Sequence, residues 1–180
     1  MTVVIPAYNA AATIDETLYS VRAQTHRNLE IIVVDDGSCD TTPQIIQRHA
    51  DEDPRIRIIW QPNAGVAAAR NRAIAEAKSD YIAPVDADDL WNPDKIEKQL
   101  AALLSGGPDV GLVYTWSARI NACSVIVNDS PGARHSGVVT YQMCRGNFIG
   151  NGSAVLMRKT AIQEAGGYDS GLRRAASATS

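Results

Sequence analysis

Five aspartates could do chemistry because of where they crowd. Asp35 and Asp36 end the apolar run in "LEIIVVDDGS", and Asp86, Asp88 and Asp89 follow "DYIAPV" in "VDADDLW". Carboxylates this close repel one another, so a fold keeps them together only with compensation. Clustered oxygen donors suit a hard divalent cation. Mg2+ and Mn2+ prefer such ligands, and Mg2+ takes one or two carboxylates and completes its shell with phosphate oxygens. Asp86 and Asp88 are spaced i, i+2; in extended chain they share a face, and in a turn both can point at one ion. A phosphate ester is the natural anionic ligand for that ion. The bland alternative is that the acids accept backbone N–H bonds at strand ends and caps. It is easier to hold for either cluster alone than for both, and Asp89 is the one most readily assigned to the loop itself.

The elements that must position these acids follow from pattern. "TVVIP" is a short β-branched run and reads as a strand. Ile14, Leu18 and Val21 give "AATIDETLYSVRAQT" a helical period. "LEIIVVDD" is too apolar to have one wet face, which suits a central parallel strand. "CDTTPQIIQRHAD" begins a helix, with Thr41 or Thr42 as cap and Pro43 in the first turn. "RIRIIWQ", the alanine-rich "AGVAAARNRAIAEAK" and "DYIAPV" read as strand, helix and strand. "NPDKIEKQLAALL" is a helix capped by Asn92 that stops at Gly106 and Gly107. This β-α-β-α-β-α-β order predicts an α/β fold, a Rossmann-like doubly wound, mostly parallel sheet flanked by helices.

In an open parallel sheet, ligands bind outside the carboxyl ends of the strands. Both acidic clusters therefore fall on one ligand edge, with the "PAYN" that closes the first strand. Beyond "VGLVYTW" the pattern weakens. "NACSVIVNDSPGARHSG" reads as a hairpin or loop, "GSAVLMRK" as a strand and "TAIQEAGG" as a short helix ended by glycine. Residues 1–172 read as one domain, and residues 173–180 as a tail that frays.

Composition narrows the function classes. The chain has 180 residues, 45% hydrophobic and 21% charged, with formal net charge −3. That profile suits one soluble globular domain. No basic stripe argues for nucleic acid. The N-terminus does not read as a signal peptide, and no run of about 18 apolar residues predicts a membrane span. Cys39, Cys123 and Cys144 are odd in number and widely spaced, which suits a reduced cytosolic compartment better than a disulfide framework. The histidines show no zinc spacing. There is neither a Walker loop nor a GxGxxG, so phosphate binding would rest on metal and side chains, and a dinucleotide-dependent oxidoreductase is disfavoured. A phosphoacceptor receiver domain also carries an acidic pair after a strand. It should open with that strand, whereas here a full β-α unit comes first, and Lys159 is a poor match for its late lysine.

The order "VVIPAYN", "VVDDGS", "ARN" and "VDADDLW" resembles the family 2 glycosyltransferases with the glycosyltransferase A fold, from about Thr2 to Leu172. The resemblance implies transfer of a sugar from a nucleoside-diphosphate sugar, usually a UDP-sugar, with inversion at the anomeric centre. It implies that Pro6, Ala7, Tyr8 and Asn9 line the nucleotide and that Asp36 binds the nucleobase, while Asp35 supports the turn. Arg70 matches a basic position near the base or diphosphate, with an exposed helix cation as the plain alternative. Asp86 and Asp88 match the acidic motif that contacts ribose and metal (Mg2+ or Mn2+), Asp88 being the closer metal ligand. Gly150, Asn151 and Gly152 match a small-residue turn beside the sugar, with an ordinary tight turn as the plain alternative. Trp91 could cover the acidic loop or seal the following helix, the seal being favoured. His135 reads as a loop residue.

Inversion needs a general base. In the family it lies in a Glu-Asp pair shortly after a "GGFD"-type turn. This sequence has the turn as "GGYDSGL" and continues "RRAASATS", without an acid. Asp169 belongs to the turn and does not match the base, so the catalytic base is not assigned. The chain is expected to be either a fragment of a longer transferase or a donor-binding domain impaired in transfer. The family's acceptors are glycans or lipid-linked glycans of cell-surface polysaccharide, lipopolysaccharide or glycolipid assembly. The resemblance therefore places the protein in the cytoplasm, at the inner face of the membrane.

Overall fold

The computed structural model describes residues 1–121, 123–128, 132 and 134–171. The expected fraying of residues 173–180 lies outside the described residues. Four strands run parallel: β1 (Thr2–Ala7), β2 (Glu30–Asp35), β3 (Ile56–Trp60) and β4 (Tyr81–Pro84). They are linked by α1 (Ile14–Arg22), α2 (Thr42–Glu52) and α3 (Val66–Glu76), and α4 (Lys95–Ser105) follows β4. Next come β5 (Leu112–Tyr114), the two-stranded hairpin β6 (Arg119–Ile120) and β7 (Ile126–Asn128), α5 (Thr140–Arg145), β8 (Val155–Arg158) and α6 (Lys159–Glu164). The main sheet has the order β3-β2-β1-β4-β8-β5. β8 runs antiparallel to both β4 and β5. The sheet is thus mostly parallel and flanked by helices, as the sequence pattern implies.

The apolar runs of β1 and β2 are explained by burial on both faces. Val3, Ile5, Ile31 and Val33 pack with Ile14, Leu18 and Val21 of α1 and with Ile96 and Leu103 of α4. Val4, Ile32 and Val34 face Ala69, Ala73 and Ile74 of α3 and Ile162 of α6. The small side chains of α3 let that helix lie close to the sheet. Each fully buried Ile, Leu or Val contributes about 1.5–3 kcal/mol before chain entropy is set against it.

The cap of α4 differs from expectation. Asn92 does not cap α4: the helix begins at Lys95, with Asp94 at the cap and no side-chain cap bond. The carbonyl of Asn92 accepts from Lys95 N and from Gln24 Nε2, so residues 92–95 form a turn tied to the end of α1. Thr41 occupies the cap of α2 without a side-chain bond, and the Asp40 carboxylate accepts from Thr42 N at 2.9 Å instead. α5 was not legible in the sequence; it is short and buries no residue. Cys39, Cys123 and Cys144 are free and exposed. Among the described residues, no helix is long and apolar enough to cross a membrane.

Lys95 is an unusual member of the interior. It is buried, its Nζ donates to Gln99 Oε1 at 2.7 Å, and it lies 4.1 Å from the Trp91 ring centroid. Burial pushes its ammonium from 10.5 down to about 7. Between those values the unfolded chain binds more protons than the folded one, so this group makes stability rise with pH. The unfolding midpoint should therefore rise from pH 7 to 9, and Lys95→Met should flatten that rise. Denaturant titrations of both proteins across that range measure it.

Candidate functional site

A cavity of about 770 Å³ opens at the carboxyl edge of β1 and β4. Pro6, Tyr8, Asn9, Arg70, Asp86 and Asp88 line it, with Val66 and Ala67 of α3 and with Tyr168 and Asp169. Six sequence-expected residues are thereby brought together from three separate segments. A more open hollow of about 630 Å³ beside Trp60 and α2 gathers none of them.

Ala7 and Asp36, expected at the nucleotide, are not among the residues that line the cavity. Ala7 is buried within the sheet. Asp36 is 3% exposed, and its carboxylate accepts from Gln61 Nε2 at 2.7 Å, Ala64 N at 2.9 Å and Gly65 N at 2.8 Å. Those bonds bind the loop at residues 61–65, which launches α3. Asp36 therefore sets where Arg70 stands and does not wall the cavity. Asp35 accepts from Ser38 Oγ at 2.5 Å and Ser38 N at 3.3 Å, which supports the turn. Gly37 has φ +78 in that turn, and a Cβ there would lie 2.9 Å from Asn63 N. Only glycine fits both demands without strain.

The "PAYN" loop is tied to the same turn. Asn9 takes the left-handed φ of 47°, which Asn tolerates better than most residues. Its backbone N donates to Ser38 Oγ at 2.9 Å, and its Oδ1 accepts from Cys39 N at 2.8 Å. These bonds hold the Tyr8 and Asn9 side of the cavity in place.

The acidic loop is held from behind. Asp86 pairs with Arg70, and its backbone N donates to Ser153 Oγ at 2.9 Å. Ser153 Oγ in turn donates to Asp89 Oδ2 at 2.5 Å, and Asn151 Nδ2 reaches the same oxygen at 3.2 Å. Burial pushes the Asp89 carboxyl up, Ser153 opposes that, and Asp88 and Asp86 add to it. Asp89 thus shapes the loop, as its sequence position suggests. Trp91 is buried in the core and donates from Nε1 to Ser153 O at 3.0 Å, so it seals the helix side of the loop. Thr17 Oγ1 donates to Ala87 O at 3.0 Å from α1. Gly152 stands where a Cβ would be 3.4 Å from Arg70 Nη2. His135 contacts Phe148 and Tyr114, outside the cavity lining.

The donor set fits an anion with a shared divalent ion. Among the described residues, no three His, Cys, Asp or Glu side chains converge to hold an ion alone. Asp88 is exposed on the cavity wall and, among the described residues, forms no ion pair. One carboxylate with a second beside it suits Mg2+ or Mn2+ when ligand oxygens complete the shell. Arg70 Nε is a buried donor without an acceptor among the described residues, which leaves a hydrogen-bond position beside the cavity. Ser153, Asn71, Tyr168 and Gln61 were missed from the sequence. Their partners lie far along the chain, and only the "ARN" and "GGYD" stretches hinted at two of them.

Comparison with known proteins supplies a family. The model described as glycosyl transferase family 2 matches residues 2–164. TuaG of Bacillus subtilis (strain 168), named as a candidate teichuronic acid biosynthesis glycosyltransferase, is 42% identical over 105 residues, 58% of this chain and 42% of that protein. Chondroitin synthase of Pasteurella multocida (strain Pm70) is 37% identical over 121 residues, 67% of this chain and 12% of that protein. The chain therefore spans less than half the length of these relatives. The S. aureus TarS 1-349 structure in complex with UDP superposes with TM-score 0.69 at 20% identity, covering 97% of this chain and 51% of that one. The mannosyltransferase PcManGT from Pyrobaculum calidifontis, in complex with GDP-Man and Mn2+, gives TM-score 0.69 at 24% identity, covering 94% and 47%. At these identities the structural likeness is one of fold.

The bond pattern behind the acids is testable by stability. Ser153→Ala removes the donor to half-buried Asp89 and the acceptor for Asp86 N. The loss should be about 1–3 kcal/mol, seen as a lower urea midpoint with unchanged slope.

Proposed function

We propose that this chain, which belongs to glycosyl transferase family 2, binds a nucleoside-diphosphate sugar in the cavity at the ends of β1 and β4 as the donor half of a glycosyltransferase. The observation that carries the reading is the meeting of Arg70, Asp86 and Asp88 on one cavity wall. A cation beside two carboxylates is the combination that accepts a diphosphate with a divalent ion.

The roles follow from position. The loop at residues 6–9 borders the nucleoside. Arg70 presents guanidinium N–H groups to the phosphates, a charge-assisted pairing stronger than a neutral bond. Asp86 orients Arg70 and stands beside the ribose. Asp88, with Asp86 next to it, would hold Mg2+ or Mn2+, which supplies Lewis-acid neutralisation of the charge that gathers on the diphosphate as the glycosidic bond breaks. Arg70 serves the same end from the other side. Asp36 acts at one remove, through the loop that carries α3. Family membership supports inversion at the anomeric carbon.

The glycosyltransferase fold and the relatives named for teichuronic acid and chondroitin support a polysaccharide or lipid-linked glycan as acceptor. Such acceptors would support a cytoplasmic site of action, at the inner membrane face. UDP is the first donor nucleotide to test and GDP the second, since fold relatives were solved with UDP and with GDP-Man.

Thermal unfolding with UDP or GDP, each with and without Mn2+, tests the reading. One of the two nucleotides should stabilise the chain, and more so with metal. Asp88→Asn should erase the metal-dependent increment and leave any metal-free increment in place. A chain indifferent to both nucleotides refutes the donor site. A metal-dependent increment that survives Asp88→Asn refutes the metal assignment alone.

A further inference from the structure

Asn71 follows Arg70 in α3, yet its amide is engaged by a segment 97 residues away. Tyr168 N donates to Asn71 Oδ1 at 2.9 Å, and Asn71 Nδ2 donates to Tyr168 O at 2.7 Å. One side chain thereby reproduces the two-bond exchange made between paired strand residues. The turn at residues 166–169 is shaped for this grip. Gly166 and Gly167 have φ +81 and +79, and a Cβ on Gly167 would lie 2.9 Å from Asn71 Oδ1. Any side chain at 167 would be strained in the backbone and would push the amide away.

The grip has a consequence at the cavity. It lays the Tyr168 ring over Arg70, with 5.2 Å from Cζ to the ring centroid. The ring is largely out of water, and burial pushes its phenol up. Arg70 is then held by Asp86 at Nη2 and by the Tyr168 ring, while Gly152, lacking a Cβ, leaves room beside that nitrogen. A guanidinium held by two partners has less freedom left to lose when it meets an anion.

We infer that Asn71 is a positioning residue for the donor site: by clasping the turn at residues 166–169 it places Tyr168 on Arg70 and fixes the guanidinium for the diphosphate. The inference rests on the donor-site reading above. A clasp that only tied the turn to α3 would affect stability and leave the affinity of the folded protein unchanged.

The test uses the whole chain and calorimetric titration of UDP and GDP with Mn2+, at a temperature where each variant is folded by circular dichroism. Asn71→Ala should weaken the bound nucleotide roughly tenfold, the scale of a partly desolvated cation–π contact. Tyr168→Leu should weaken it by a similar factor. The double variant should lose no more than the larger single loss, because both act through one contact. Gly167→Ala leaves Asn71 and Tyr168 in place, breaks the same clasp and should show the same loss, which keeps the test sound if Asn71→Ala fails to fold. Wild-type affinity in the folded clasp variants, or losses that simply add, overturns the role. A wild-type chain that binds neither nucleotide overturns the donor site and this role together.

Discussion

A guanidinium pressed against a carboxylate joins α3 to the end of β4, and much of the cavity is arranged around that contact. Arg70 and Asp86 are largely out of water, with side chains 14% and 34% exposed. Withdrawing two charges from water is unfavourable unless geometry and further hydrogen bonds offset it. The surrounding elements meet that condition in turn. Asp36 binds the loop from which α3 starts, so the arginine arrives at the correct height. Ser153 holds the backbone of Asp86, Gly152 leaves room for the guanidinium, and Tyr168 covers it. Among the described residues, Arg70 Nε is a buried donor without an acceptor, and it lies on a cavity-lining residue.

The same constraint sorts the five crowded acids. Asp35 and Asp36 are satisfied by backbone and side-chain donors of adjacent turns. Asp89 is half-buried against Ser153 and Asn151. Asp86 has the arginine. Only Asp88 is left exposed toward the cavity. Four of the five carboxylates therefore have partners supplied by the protein itself. Among the described residues, the fifth forms no ion pair and faces the cavity.

How much of this could be read from the sequence depends on the range of the interactions. Strands β1 to β4 and helices α1 to α4 were legible because burial on one face or two imposes a period on neighbouring residues. The stretch "NACSVIVNDSPGARHSG" was legible only as a hairpin or loop, and the hairpin's first strand, β6, lies just before it. The direction of β8 was not, since "SAVLMR" has the same composition whichever way it runs. The "VDDGS" and "VDADD" acids marked the ligand edge. The resemblance assigns Asp36 to the nucleobase; its hold on the loop at residues 61–65 was not legible, because its three donors lie 25 to 29 residues away and leave no local trace. Ser153 and Asn71 were missed for the same reason. A serine or asparagine becomes informative only when its distant partner is known.

The reversed strand β8 has a consequence for the order in which the protein can become complete. Because β8 runs against β4, its entrance at residues 151–154 meets the exit of β4, and α6 then returns the chain to the cavity. A ribosome delivers the first four strands, the acids and Arg70 well before any of these partners. The emerging chain can close much of its interior from local crossovers, yet Asp86 and Asp89 must wait for Ser153, and Arg70 for Tyr168. Long-range closures of this kind are late and slow relative to local ones. The ligand cavity is thus completed only once residues 151–169 have left the exit tunnel, and a nascent chain would carry its charges exposed until that stretch arrives.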